Sequence, residues 1–201
     1  TRAGIGLPAY YNDEVIIPSL MSRGLSLEDA RTYNIIGCVE PQKAGKTQGW
    51  HDAAFFNMCR PLEMVFSSGV DKGERIGPAT KPVEEMKTFG EFFDAYKQQM
   101  NWFISLLVNA DNAIDAAHAK RCPLPFLSCM VDDCMKRGKT LEEGGAVYNF
   151  TGPQGFGIAN VGDSLYAVKK LVFDEHKLTL AQYKKALAMN FGKGFDAATV
   201  S

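Results

Sequence analysis

The chain lacks a charge excess, a long apolar run, and any ordered spacing of cysteine and histidine. Its 22 Lys and Arg nearly balance 23 Asp and Glu, giving a net charge of −1. Such a balance offers no bulk field for nucleic acid or an anionic membrane surface, and neither is expected as a partner. No apolar stretch approaches the roughly 18 residues that a membrane span needs. The five cysteines, at 38, 59, 122, 129 and 134, are odd in number and irregular in spacing. That argues against a disulfide framework and for reduced thiols in a cytoplasmic protein. The three histidines, at 51, 118 and 176, are scattered. No pair has zinc-finger spacing, and no metal site is expected. Internal repeats and low-complexity segments are missing too.

What remains is an ordinary globular composition, 46% apolar and 22% charged, able to bury a sizeable core. The sequence opens at Thr1 with no basic and apolar leader. It closes on a glycine- and alanine-containing stretch, 191–201, that reads as a loop interrupted mid-domain. Residues 1–201 are therefore expected to be an internal fragment of a longer protein.

The most informative positive feature is Ile35-Ile36-Gly37-Cys38-Val39-Glu40-Pro41. A thiol and a carboxylate stand two positions apart after a short apolar run. On an extended backbone, residues i and i+2 project to the same side, so Cys38 and Glu40 would face one substrate together. Gly37 permits close backbone approach or an unusual φ/ψ. Pro41 fixes its own φ and biases Glu40 away from helix. The alternative for a single Cys after an apolar run is a buried structural thiol.

Around this box the chain reads as long helices alternating with short buried strands, an α/β pattern. Ser26 caps a short helix ending near Thr32, and Tyr33 to Gly37 reads as a strand entering the Cys38 loop. Residues 41–49 are expected to be loop. A helix is expected from about Asp52 toward Ser68, with Asp52 at its N-cap, Pro61 kinking it and Gly69 ending it. Residues 70–87 read as loop. Thr88 then caps the longest helix, about 89–120, whose stripe of Phe89, Phe92, Phe93, Tyr96, Met100, Phe103, Leu106 and Leu107 is expected in the core. A shorter helix is predicted over 124–137 and a second strand over 147–150. A glycine-rich turn follows over 152–157, and amphipathic helices over 161–173 and 179–191. The 152–157 glycines lack the Lys-Ser/Thr ending of a phosphate loop. Lys43 and Lys46 read as surface or loop-anchoring residues.

The chemistry of Cys38 follows from its neighbour. A nucleophilic cysteine needs a base or a cation to stabilise its thiolate, whereas a nearby carboxylate opposes thiolate formation. His51 is thirteen residues away in the sequence, and nothing in the sequence places it beside Cys38. A one-electron role needs only a neutral S–H that gives up and regains a hydrogen atom. Glu40 does not hinder that.

Four stretches then carry a resemblance. They are Leu7-Pro8-Ala9-Tyr10-Tyr11-Asn12-Asp13-Glu14, Ile36-Gly37-Cys38-Val39-Glu40-Pro41-Gln42, Gly49-Trp50-His51-Asp52, and Tyr148-Asn149-Phe150-Thr151-Gly152-Pro153-Gln154-Gly155. Together they closely resemble the glycyl radical enzymes of the pyruvate formate-lyase type. The Trp-His-Asp stretch is most similar to the B12-independent glycerol and propane-1,2-diol dehydratases. The resemblance implies part of a ten-stranded α/β barrel with a catalytic Cys loop at its centre. It implies that Cys38 carries a thiyl radical, that Glu40 is the general base on a substrate hydroxyl, and that Asp52 accepts a hydrogen bond from a substrate hydroxyl. A small polyol would be the substrate. The glycyl radical would sit in a C-terminal domain absent from this chain, since none of its 19 glycines stands in the family's Arg-Val-x-Gly-Tyr type of box. A radical S-adenosylmethionine activating enzyme would install that radical, in a homodimer. Choline, hydroxyproline and isethionate lyases share the Gly-Cys-Val-Glu box and remain alternatives, as does a purely structural, inactive fragment.

Overall fold

A computed structural model describes residues 2, 3 and 10–192. In chain order the elements are α1 (Asp13–Ser22), α2 (Leu27–Arg31), β1 (Asn34–Ile36), β2 (Glu40–Gln42), β3 (Thr47–Trp50) and β4 (Phe55–Asn57). They continue with α3 (Cys59–Phe66), β5 (Val70–Asp71), β6 (Glu74–Arg75), a 3₁₀ turn at Val83–Glu85, and α4 (Phe89–Arg121). The last are α5 (Pro125–Ser128), α6 (Cys134–Arg137), β7 (Tyr148–Thr151), β8 (Gln154–Phe156), α7 (Ile158–Val168) running into a π-helical stretch Lys169–Asp174, and α8 (Leu180–Ala188). Among the described residues no helix is long and apolar enough to cross a membrane.

The chain divides into two compact units. The first holds Thr1–Ala54 and Asp111–Pro153. Here β1 and β2 form an antiparallel hairpin, with Ile36 opposite Glu40. Strand β3 pairs in parallel with β7, from Thr47 opposite Tyr148 to Trp50 opposite Thr151. Parallel partners so distant in sequence require a long crossover. The apolar core of this unit is small and falls into two clusters: Leu20, Leu25 and Ala30, with Tyr148 and Phe150 packed against them, and Cys134, Leu141 and Ala146. Burial of Leu20 also accounts for a helix that the sequence did not announce. Proline inside a helix costs a hydrogen bond and about 3 kcal/mol, yet α1 runs through Pro18. Its start is secured by Asn12, whose side chain accepts from the Glu14 amide at 3.0 Å.

The second unit holds Phe55–Ala110 and Gln154–Ser201. It pairs β4 with β8 in parallel and β5 with β6 antiparallel. Its core is larger and includes Val65, Phe92, Tyr96, Val168 and Tyr183. Phe92 is fully buried and its ring lies 5.4 Å from that of Phe66. The Thr88 cap is present: Thr88 Oγ1 accepts from the Glu91 amide and Glu91 accepts from the Thr88 amide, both at 3.2 Å. A second capping box, Thr179 with Gln182, opens α8.

Several expectations are corrected. The expected helix from Asp52 is a strand, β4, followed by the shorter α3. Asp52 is therefore not the N-cap of α3, a position that Met58 occupies. Pro61 lies in the first turn of α3, where its missing N–H would have had no helical partner anyway, so no kink arises. The left-handed residue ending α3 is Ser68, at φ 51°. Gly69 follows it, and its amide donates to Met64 O at 2.8 Å, closing a Schellman motif. Residues 41–49 contain β2 and β3, and 70–87 contain the β5–β6 hairpin. The expected helix at 124–137 is two short pieces, α5 and α6. Of the apolar stripe on α4, Phe92 and Tyr96 are buried but Leu106 is 45% exposed. Residues 193–201, read as an interrupted loop, lie outside the described residues, as do Leu7, Pro8 and Ala9 of the quoted motif.

Candidate functional site

Cys38 sits at the tip of the β1–β2 hairpin, in the turn Gly37–Val39. Its thiol-bearing residue is exposed, so it is not a buried structural cysteine of this unit. The turn needs a left-handed residue, and Gly37 supplies it at φ 60°. A second constraint acts at the same place. A Cβ on Gly37 would stand 2.8 Å from Glu40 Oε2, closer than real Cβ atoms come.

The geometry of the Cys38–Glu40 pair differs from the extended strand foreseen from i, i+2 spacing. The backbone turns at 37–39, and the Glu40 side chain folds back under it. Its Oε2 accepts from the Cys38 amide at 2.9 Å and from the Val39 amide at 3.0 Å. Pro41 lies within β2, opposite Ile35, and does not stop the strand. It does hold Glu40 extended, as the residue before a proline must be. Glu40 is buried. The hydrogen bond from the Val39 amide, ahead of that from Cys38, holds its carboxyl below the usual range against the opposing effect of burial. Glu40 is thus a committed carboxylate.

Two further groups stand here that the residue-by-residue reading had not assigned. Tyr11 Oη donates to the Cys38 carbonyl at 3.0 Å. His51 Nε2 lies 3.2 Å from Oε1 of the buried Gln42. An amide oxygen only accepts, so this contact selects the Nε2–H tautomer. Burial lowers the proton affinity of His51, while the charges of Glu40 and Asp52 pull the other way. His51 is therefore within the field of both carboxylates, a proximity that thirteen residues of sequence separation concealed. Gly49 makes room for it, because a Cβ there would run into the imidazole. Asp52 lies exposed in the turn after β3.

Behind the hairpin a polar network ties its two flanks. Asp29 on α2 accepts from Lys46 Nζ at 2.8 Å and from Tyr148 Oη at 2.7 Å. Lys43 Nζ reaches Thr32 Oγ1 at 2.7 Å. The loop-anchoring reading of both lysines holds.

The groups that grip Cys38 are a carboxylate and a phenol, and neither stabilises a thiolate. An exposed thiol on a fixed turn is open to a reaction partner.

Comparison with known proteins places the chain in a family. A structure described as 1,2-propanediol dehydration in Roseburia inulinivorans superposes with a TM-score of 0.91 and 67% identity, over 98% of this chain and 25% of that one. The glycerol-bound B12-independent glycerol dehydratase from Clostridium butyricum gives a TM-score of 0.90 and 64% identity, over 95% and 24% of the two chains. The (2S)-3-sulfopropanediol dehydratase of Klebsiella oxytoca is 41% identical over 94% of this chain and 23% of its own length. The chain thus spans about a quarter of the length of these relatives. Its fold is that of the corresponding part of the glycyl radical enzyme barrels, helix-rich and mixed α/β. The sequence pattern of the Pyruvate formate lyase-like family matches residues 1–196, and the chain belongs to that family.

Proposed function

We propose that this chain is the thiol-bearing part of a glycyl radical dehydratase that removes water from a small vicinal diol, glycerol or propane-1,2-diol. The observation that carries the proposal is the hairpin tip, where Cys38 is presented at the surface over the Glu40 carboxylate. The identities of 67% and 64% to a propanediol- and a glycerol-dehydrating enzyme support the choice of substrate class.

The glycyl radical, borne on a segment outside this chain and installed by a radical S-adenosylmethionine activating enzyme, supplies the unpaired electron. Cys38 gives up its S–H hydrogen atom and, as a thiyl radical, takes a hydrogen atom from C1 of the diol. A hydroxyl on a radical carbon is far more acidic than an ordinary alcohol. The C1 hydroxyl proton passes to Glu40, the C2 hydroxyl takes up a proton from an acid supplied by another part of the parent enzyme and leaves as water, and Cys38 returns its hydrogen atom to give the aldehyde. The lowered proton affinity of Glu40 guarantees the right protonation state but reduces its driving force as a base. That weaker base suffices for so acidic a hydroxyl. Asp52 accepts a hydrogen bond from a substrate hydroxyl and orients the diol. The parent enzyme is proposed to work as a homodimer.

The test is an anaerobic assay of the activated, full-length parent against glycerol, propane-1,2-diol, choline and hydroxyproline. A Cys38→Ala variant serves as the control. Diol turnover that vanishes in the control is expected. Turnover of choline or hydroxyproline with neither diol would replace the dehydratase reading and leave the thiol chemistry standing.

A further inference from the structure

We propose that Tyr11 is a positioning residue for the hydrogen-atom relay, and that it aims the Cys38 thiol by pinning the Cys38 carbonyl. This inference rests on the reading of Cys38 as the radical relay.

The argument begins with the torsions that place a sulfur atom. Peptide planes are rigid, so the Cys38 Sγ position follows from φ, ψ and χ1 of that residue. The plane between Gly37 and Cys38 is held through the Cys38 N–H, which donates to Glu40 Oε2. The plane between Cys38 and Val39 is held twice. Its N–H donates to the same Glu40 oxygen, and its carbonyl accepts from Tyr11 Oη. In a trans peptide these two groups point to opposite sides, so Glu40 and Tyr11 grip one plane from its two edges. Glu40 holds the turn from its amide side. The tyrosine adds the second point, and χ1 remains the only soft torsion of the thiol.

The donor stands on a firm base. Tyr11 immediately precedes Asn12, the cap of α1. The next residue, Asp13, accepts from Tyr33 Oη at 2.7 Å, and Tyr33 immediately precedes β1. The start of α1 is thus latched to the foot of the hairpin by Tyr33 and to its tip by Tyr11. Positional demands on hydrogen-atom transfer are severe, because the rate falls steeply with donor–acceptor separation. A misplacement of about 1 Å can cost on the order of 10²-fold in rate.

The experiment is Tyr11→Phe in the activated full-length parent, with Tyr33→Phe and Cys38→Ala alongside. Removing one neutral hydrogen bond should lower kcat by roughly ten-fold, with KM within about two-fold. The primary deuterium isotope effect on kcat, with the diol deuterated at C1, should rise, because hydrogen transfer becomes slower than the other steps. Tyr33→Phe, which loosens the latch without touching the tip, should shift both quantities the same way by less. A purely structural role would lower the active fraction and leave the isotope effect unchanged. Unchanged kcat in Tyr11→Phe, or a fall in kcat with an unchanged isotope effect, overturns the proposal. Cys38→Ala separates the two readings: activity in that variant defeats the relay itself, whereas a dead Cys38→Ala beside a normal Tyr11→Phe defeats only the aiming role.

Discussion

The two units of the chain are held together by different forces. The unit of Phe55–Ala110 and Gln154–Ser201 has a broad apolar core with ring contacts, such as Phe66 against Phe92 at 5.4 Å and against Tyr183 at 5.9 Å. The unit that carries Cys38 has, among the described residues, two clusters of only three buried apolar residues each. It relies instead on directed polar contacts: Glu40 under the turn, Tyr33 to Asp13, and Asp29 between Lys46 and Tyr148. Apolar burial is non-directional and tolerates small shifts. Hydrogen bonds fix distance and angle. The difference teaches where positional accuracy resides: Cys38 is mounted on the unit whose contacts define geometry, not on the one with more buried surface.

The sharpest way to break this comparison is at Glu40, where a polar contact is also assigned chemistry. In Glu40→Gln the amide oxygen can still accept from Cys38 and Val39, so the turn should persist. The ability to take a proton is lost. Turnover in the activated parent should fall by roughly 10²–10⁴-fold, the usual range for removing a general base, with the fold retained. Near-normal kcat would reduce Glu40 to a clamp for the turn.

The opposite unit offers the converse test. Phe92 is fully buried among apolar neighbours, and Phe92→Ala should cost about 3–5 kcal/mol, from lost transfer energy and the cavity left behind. Denaturant titration of the chain measures that loss. Activity per folded molecule of the parent should stay within about two-fold if geometry at Cys38 does not depend on this core. A large fall in kcat for folded protein would erase the division of labour.

The sequence revealed these two regions unequally. Two helix caps were legible because a single side chain decides them: Ser26 and Thr88 each open the helix expected. The Cys38 loop was legible as a loop, but its geometry was not. Period-2 reasoning put Cys38 and Glu40 on one face of a strand, whereas the turn at Gly37 and the recoil of Glu40 onto the amides depend on the hairpin register. Tyr11 and His51 were hidden for the same reason, since their partners lie 27 and 9 residues away and across strands. The error at Asp52 came from an ambiguous apolar run, Ala53 to Phe56. Parallel pairing with β8 claims Phe55 and Phe56 as strand, and no local signal reports such a long-range partner. Residues such as Leu106 show the limit of periodicity. A helical stripe marks what can be buried, not what this chain buries.

The finest test concerns acid. Lys46 and then Tyr148 hold the Asp29 carboxyl below its ordinary value, about 3.9 for an unperturbed Asp. The folded state therefore binds this proton more weakly than the unfolded state does. Stability from Asp29 is fully present above that ordinary value and is lost as pH falls through the lowered folded one. Glu40 acts in the same direction over the neighbouring range. His51 adds an earlier step. Its lowered proton affinity makes the unfolded state the better base below about pH 6.5, so stability begins to fall there as well. In a Trp102→Phe background, Trp50 is the remaining tryptophan of the two in the chain and reports on the Cys38-bearing unit. Its unfolding midpoint should decline gently from about pH 6.5 and more steeply below about pH 4. Asp29→Asn should lower the midpoint at neutral pH by a few degrees and flatten only the steeper limb, leaving the His51 step and the Glu40 share. An unchanged acid limb in Asp29→Asn would show that the Lys46–Asp29–Tyr148 network does not bear on the stability of this unit, and that its small apolar core suffices.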